Sequence, residues 1–300
     1  MIVGAGLVLA VPAVLWRIGV ASQQPRWLPN VEQPSVPYEE VEFRSQGSRL
    51  KGWLMVPADG REHEKYPTVI VVHGWGSNRS RVLRYVEPLY QSGYAVMVYD
   101  GRSHGDSEAI KAPSAIMFRD DVEAAVQYAK GNPVLDPDKI AILGHSLGGY
   151  GAVLAMGRGL DVRAIVTDSM PIRFETMLRA ELARRKLPLF PLSTIIPFIW
   201  LWRAKISRAE FRKANIPAIL KENNQGCKLP VLMIHSRRDG FILPDDLLRM
   251  VRDIPVEHQL VEVDGHSVSE QDPAFWPSVL PFLTCHLAEG NERRVRSAIQ

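Results

Sequence analysis

This sequence has few cysteines, little net charge and no metal-binding pattern. Each of these features excludes a class of protein. The 300 residues contain two cysteines, Cys227 and Cys285, too few for the disulfide framework of a small secreted domain. Neither lies in a C-x-x-C pair or in another spacing that holds a metal. The formal net charge is only +3 and no basic motif accompanies it, so we expect no nucleic-acid partner.

The beginning of the chain differs most from the rest in composition. Residues 1–16 carry no charge, and Arg17 is followed by a run of small residues. This pattern predicts that residues 1–27 are a hydrophobic signal or anchor segment, which would make the protein membrane-anchored or secreted. A helix buried in the core is the alternative. The Pro-rich residues 25–37 favour a linker between this segment and one main domain.

Short apolar runs alternate with amphipathic segments along most of the chain. Runs rich in β-branched residues predict strands, and apolar residues three or four positions apart predict helices. The alternation favours an α/β fold with a largely parallel sheet covered by helices on both faces. The predicted strands are residues 38–43, 49–56, 68–72, 95–99, 140–143, 162–167, 231–236 and 259–263. The predicted helices are residues 82–90, 118–130, 150–156, 244–252 and 273–288.

Residues 171–228 break this alternation, because they contain helical stretches and no clear strand. We expect helices at residues 174–186 and 204–213, separated by a Pro-interrupted apolar run at residues 187–202. Residues 173–213 hold ten Lys or Arg against three Glu, so the basic charge is concentrated here. The sequence predicts a core of residues 28–170 and 229–289, a helical cap insertion of residues 171–228 and a polar tail of residues 290–300.

A serine lies on the turn between a predicted strand and a predicted helix, in the stretch IAILGHSLGGYG at residues 140–151. The pattern G-x-S-x-G places Gly144 and Gly148 around Ser146. A tight turn of this kind lifts the hydroxyl clear of the sheet, and glycines avoid collisions with the strand and the helix. The pattern predicts a nucleophile, with an ordinary Gly-rich turn as the alternative.

A serine nucleophile needs a base, and the base needs an orienting acid. His266 follows the predicted strand at residues 259–263, and Asp239 follows the strand at residues 231–236. In a parallel sheet both positions lie at the carboxyl edge, where Ser146 also emerges. Three further acids are alternatives to Asp239, namely Asp245 and Asp246 in the first turn of a predicted helix and Asp264 close to His266.

These motifs together resemble the α/β-hydrolases, over roughly residues 38–288. The resemblance rests on GHSLGG at the serine, HGWGSN after the TVIVV strand, the loop DGRSHGDS, and the chain order serine, aspartate, histidine. The sequence is most similar to bacterial esterase/lipase-like and dipeptidyl-peptidase-like members. The resemblance implies an eight-stranded, mostly parallel sheet with the insertion as a cap over the serine.

The resemblance also implies roles for individual residues. Ser146 would attack a carbonyl, His266 would carry its proton, and Asp239 would orient the imidazole. The backbone N–H groups of Trp75 and Leu147 would form the oxyanion hole. His73, which follows the TVIVV strand, would brace the oxyanion loop. Structural roles are expected for all four of the other histidines at strand ends and turns: His73, His104, His145 and His235.

The sequence therefore predicts a serine hydrolase that cleaves carboxylic esters through an acyl-enzyme intermediate, without a metal or an organic cofactor. A peptidase or amidase, an acyltransferase and a non-catalytic binding protein are the alternatives. The expected partner is a small-molecule or lipid ester. A membrane surface is a further expected partner, through residues 1–21 and the aromatic and basic side chains of the cap: Phe190, Phe198, Trp200 and Trp202 with the neighbouring Arg and Lys.

Overall fold

The computed structural model describes residues 2–58, 65–226 and 228–288, with side chains from residue 12 onward. Cys227 and the predicted polar tail at residues 290–300 lie outside the described residues. Cys285 is exposed and unpaired.

The described residues form one sheet of eight strands, which confirms the predicted α/β fold. Its strand order is β1-β2-β4-β3-β5-β6-β7-β8, with β1 and β2 antiparallel to their neighbours and the other pairs parallel. The strands are β1 Glu39–Ser45, β2 Ser48–Met55, β3 Tyr66–Val72, β4 Ala95–Tyr99, β5 Leu135–His145, β6 Ala164–Asp168, β7 Val231–Arg238 and β8 Glu257–Asp264.

Both faces of the central strands are buried, which explains their continuous apolar sequences. Alternate residues point to opposite faces, so Ile70 and Val72 of β3 join one core cluster while Val69 and Val71 join the other. All four side chains are 0–1% exposed. A strand covered by helices on both sides has no solvent face and therefore shows no polar alternation.

Ten α-helices lie among the described residues. They are α1 Ile2–Ser22, α2 Val86–Gln91, α3 Ala115–Gly131, α4 Leu147–Met156, α5 Phe174–Arg184, α6 Leu192–Arg203, α7 Arg208–Lys213, α8 Ile216–Gln225, α9 Asp245–Asp253 and α10 Phe275–Ala288. The segment before α2 is a 3₁₀ helix, Arg79–Tyr85, whose first turn is capped by the Asn78 side chain.

Helices α5 to α8 fall between β6 and β7 in the sequence, where the cap insertion is predicted. The Pro-interrupted run contains α6, which continues through Pro197. The predicted helix at residues 204–213 is shorter than expected. It begins only after Ser207, whose side chain caps the helix by accepting a hydrogen bond from the N–H of Glu210 at 3.0 Å.

The end of α1 lies against α6 and is not separated from the rest of the protein. The Trp200 indole N–H donates to the backbone oxygen of Gly19 at 3.0 Å, and a Cβ on Gly19 would collide with the Ile199 side chain. The Pro-rich stretch that follows is hydrogen-bonded to the core and is not a free linker. No helix among the residues described is long and apolar enough to cross a membrane.

Candidate active site

Ser146 lies on the turn between β5 and α4, as the sequence predicts. Its φ of 52° and ψ of −120° form a backbone conformation that residues with a side chain rarely adopt. A Cβ on Gly144 would lie 2.4 Å from the backbone nitrogen of Gly149, and a Cβ on Gly148 would lie 2.3 Å from the backbone oxygen of Val72. This strained turn therefore requires glycine on both sides of the serine.

Three side chains from distant parts of the sequence form one hydrogen-bonded series. The Ser146 hydroxyl donates to His266 Nε2 at 2.9 Å, and His266 Nδ1 donates to Asp239 Oδ2 at 2.6 Å. These residues follow β5, β8 and β7 respectively. Because the strands are parallel, their carboxyl ends meet at one edge of the sheet. The structure brings together the three residues that the sequence singled out.

Asp239 is held as a buried carboxylate. Its Oδ1 accepts hydrogen bonds from the N–H groups of Phe241 at 2.8 Å and Ile242 at 2.9 Å. Burial alone would raise the pKa of Asp239, but hydrogen bonds with His235 and His266 outweigh burial and hold that pKa well below its usual range. The carboxylate therefore stays ionised and can stabilise an imidazolium at His266.

The alternative acids lie elsewhere. Asp245 and Asp246 occupy the first turn of α9, as expected. Asp264 is exposed at the end of β8 and pairs with Arg238 at 3.4 Å. The carboxylate that contacts His266 is that of Asp239.

The loop after β3 passes very close to the serine. A Cβ on Gly74 would lie 2.9 Å from the Ser146 Cβ and 3.4 Å from its Oγ, so this approach requires glycine. Trp75 follows in this loop and Leu147 begins α4, and both residues line the cavity that contains Ser146. The positions of these two residues are compatible with the predicted oxyanion hole.

Two buried histidines connect the loop after β3 to the loop after β4. His73 donates through Nδ1 to the Gly74 oxygen at 2.7 Å and accepts through Nε2 from the Gly101 N–H at 2.9 Å. His104 Nε2 accepts from the Gly76 N–H at 3.0 Å. Burial lowers the pKa of His73 to about 4, and burial together with the neighbouring His73 lowers the pKa of His104 to about 3. Both imidazoles are therefore neutral acceptors.

A buried polar network lies behind the nucleophile, and sequence patterns did not reveal it. Arg84 donates to the Tyr85 hydroxyl at 2.8 Å, and Tyr85 donates to Asp168 Oδ2 at 2.5 Å. The Asp168 backbone oxygen accepts from the Ser146 N–H at 2.8 Å. Burial lowers the pKa of His145 well below its usual value, and its neutral ring lies 5.0 Å from the His266 ring. The network supports the strand end that carries the serine.

Ser146 and His266 open into a cavity of about 390 Å³. Its walls are mainly apolar and come from the core, from the cap helices and from the end of α1. The cap contributes apolar and aromatic side chains, namely Phe174, Met177, Leu178, Trp200, Leu201 and Phe211. A cavity of this size and lining suits an acyl chain or a comparable apolar group.

The sequence analysis missed one wall of this cavity, which residues 22–28 form. Gln23 and Arg26 line the cavity, and the Arg26 backbone lies 3.7 Å from the position of a Cβ on Gly76. The Trp27 indole N–H donates to the Gly105 oxygen at 2.9 Å, and the Asn78 amide donates to the oxygens of residues 28 and 29. These hydrogen bonds follow no periodic sequence pattern, and a Pro-rich composition does not predict them.

The described residues include no group of three or more His, Cys, Asp or Glu side chains that could hold a metal ion. The charged groups that line the cavity are mostly guanidinium groups, which donate hydrogen bonds and do not coordinate cations. The chemistry available at the site is that of a hydroxyl, an imidazole and a carboxylate.

The sheet order and the strained serine turn define the class of the protein as an α/β-hydrolase. The family model described as serine aminopeptidase, S33, matches residues 63–215, about half of the chain, so the chain belongs to this family.

Two curated relatives and one solved structure show what the chain is similar to. The chain is 29% identical over 142 residues to the uncharacterized protein YfhR of Escherichia coli K12, which covers 46% of this chain and 49% of YfhR. It is 29% identical over 199 residues to YqkD of Bacillus subtilis, covering 65% and 61%. The structure of the Pyrococcus furiosus esterase Pf2001 superposes with a TM-score of 0.65 at 23% identity, covering 88% of this chain and 99% of that one. The chain spans about half the length of YfhR.

Proposed function

We propose that the protein is a serine hydrolase that cleaves carboxylic esters through an acyl-enzyme intermediate. The observation that carries the proposal is the series Ser146, His266 and Asp239 at the floor of an apolar cavity. A serine hydroxyl bonded to an imidazole, itself oriented by an ionised carboxylate, is the arrangement that activates an alcohol as a nucleophile.

In the first half of the reaction, Ser146 Oγ bonds to the ester carbonyl carbon while its proton passes to His266 Nε2. The tetrahedral oxyanion would be held by the N–H groups of Trp75 and Leu147, and each such donor is worth about 3 kcal/mol or more of transition-state stabilisation. The bond to the alcohol oxygen then breaks as His266 returns the proton to the departing alkoxide. Water, deprotonated by the same imidazole, releases the acid in the second half.

The charge of the cavity favours esters over N-terminal peptide substrates. The family description suggests an aminopeptidase, which must bind a protonated α-amine. The one acidic side chain among the described residues that line the cavity is Glu181, and it is already bound by Arg184 at 2.7 Å and Arg185 at 2.6 Å. Arg26 and Arg81 add positive charge, which opposes a cationic substrate.

The test is hydrolysis of p-nitrophenyl esters from acetate to palmitate by the full chain, compared with aminoacyl p-nitroanilides. The expected result is a rate on esters that peaks at one chain length and falls at least about a thousandfold in Ser146→Ala. Cleavage of the anilides with no cleavage of esters would favour the peptidase. Ester turnover only when a second alcohol is supplied would indicate an acyltransferase.

A fluorophosphonate probe separates a slow enzyme from a binding protein. The probe should label the folded wild type and fail to label Ser146→Ala. Ser77→Ala is the matched control, because Ser77 also lines the cavity, and it should keep the label. If the wild type is not labelled and is inert on every ester, the proposed hydrolase activity is wrong.

A further inference from the structure

Helix α6 has two apolar faces, and only one of them lines the cavity that contains Ser146. Pro197, Trp200 and Leu201 line the cavity that contains the serine. Phe198 and Trp202, four residues apart on the opposite side, are 58% and 72% exposed. Two large side chains in contact with water at this spacing form a stripe along the helix, which indicates a surface that binds something apolar.

The end of α1 extends this stripe into a patch. The Trp16 and Trp202 rings lie 5.5 Å apart, and Trp16, Phe198 and Trp202 line one shallow depression. We name the surface formed by Trp16, Phe198 and Trp202 the aromatic face.

The two segments that supply the aromatic face carry charge of a single sign. Residues 1–31 and residues 187–209, which supply the face, contain no Asp or Glu. They contain Arg17, Lys205 and Arg208, all exposed, and the Arg208 guanidinium lies 6.0 Å from the centre of the Phe198 ring. An apolar patch whose own segments carry cations and no Asp or Glu is complementary to a surface that is apolar inside and anionic outside.

We propose that the aromatic face docks on the surface of an anionic phospholipid bilayer. Trp side chains favour the boundary between lipid headgroups and acyl chains, and Arg and Lys bind the anionic headgroups around them. Residues 1–16, which end at Trp16 of the face, carry no charge. The cavity lies on the other side of α6, so docking holds the site next to the lipid. Docking does not depend on the proposed esterase activity.

The experiment is flotation of the full chain with phosphatidylcholine vesicles, with and without phosphatidylglycerol. The wild type should float with the anionic vesicles and much less with the neutral ones. The double variant Phe198→Ser with Trp202→Ser should bind at least about tenfold more weakly. Lys205→Gln with Arg208→Gln should lose about fivefold in affinity for each cation removed, and only on anionic vesicles.

The matched controls are exposed residues outside the face. Val134, which is 42% exposed just before the amino end of β5, is changed to Ser, and the exposed Arg44 of β1 is changed to Gln. Both controls should float like the wild type. The proposal is overturned if the wild type does not float, or if the aromatic variants float as well as the controls. It is also overturned if the face variants only dissociate a dimer in lipid-free solution, because a second copy of the chain would then be the occupant.

Discussion

Acid should destabilise the fold through His73 and His104, two buried imidazoles in the loops beside the serine. Each accepts a backbone N–H through Nε2, so a proton on that nitrogen would remove a hydrogen bond and leave a buried charge. Burial lowers the pKa of each from the usual value of 6.5, to about 4 for His73 and about 3 for His104. The unfolded chain therefore binds more protons, and stability is complete above about pH 6.5 and falls as the pH drops towards 4.

The size of the effect follows from the two pKa values of each group. At pH 5 an imidazole with a pKa of 6.5 when unfolded and about 4 when folded favours unfolding by about 2 kcal/mol. His104, with a folded pKa of about 3, contributes about 2 kcal/mol at the same pH. Each contribution is a large fraction of the 5 to 15 kcal/mol, roughly, that stabilises a typical domain.

The assay is urea unfolding at pH 7 and pH 5 for the wild type, His104→Gln and His258→Gln. A Gln at position 104 can still accept the Gly76 N–H but does not titrate, so its loss of stability between the two pH values should be about 2 kcal/mol smaller than that of the wild type. His258 is exposed, and its variant should behave like the wild type. The reasoning is refuted if His104→Gln keeps the full pH dependence.

Three further predictions concern the site itself. Asp239→Asn should lower kcat/KM on p-nitrophenyl esters by about a thousandfold or more, with an unchanged circular dichroism spectrum, because the ionised partner of His266 is lost. Gly74→Ala should lower kcat about a hundredfold, because its Cβ would lie 2.9 Å from the Ser146 Cβ. Gly131→Ala is the control, because an added Cβ there has no atom within 4 Å, and it should keep full activity in the same assay. Removal of residues 1–27 should broaden the chain-length profile on esters, because Gln23 and Arg26 leave the cavity wall; an unchanged profile would contradict that role.

The serine turn could be predicted from the sequence because its requirements are local. A Cβ on Gly144 or Gly148 would collide with backbone atoms, so the turn requires glycine at both positions and the pattern is visible in the sequence. The sequence alone does not single out Asp239, because Asp245 and Asp246 also follow β7 and Asp264 lies close to His266. The contact of Asp239 with His266 depends on how two loops approach each other at the sheet edge, and no local pattern describes that approach.

The path of the N-terminal segment could not be predicted in the same way. Composition indicated an apolar segment and a Pro-rich linker, but residues 22–30 are joined to loops some 50 to 80 positions away, through contacts such as Asn78 to the Leu28 oxygen and Trp27 to the Gly105 oxygen. In the contacts named here a side chain donates to a backbone oxygen, and every residue carries such an oxygen. Sequence alone therefore contains no signal for them.

The sequence by itself determined the buried strands, the turn that carries Ser146 and the order in which nucleophile, acid and base follow three parallel strands. Those features depend on side-chain volume, on backbone freedom at glycine and on the period of apolar residues, which act over a few neighbouring positions. Only the tertiary structure decided that residues 22–28 close the cavity, and that α6 presents Trp200 to the site and Trp202 to the outside. Such features depend on which surfaces meet after the chain has folded.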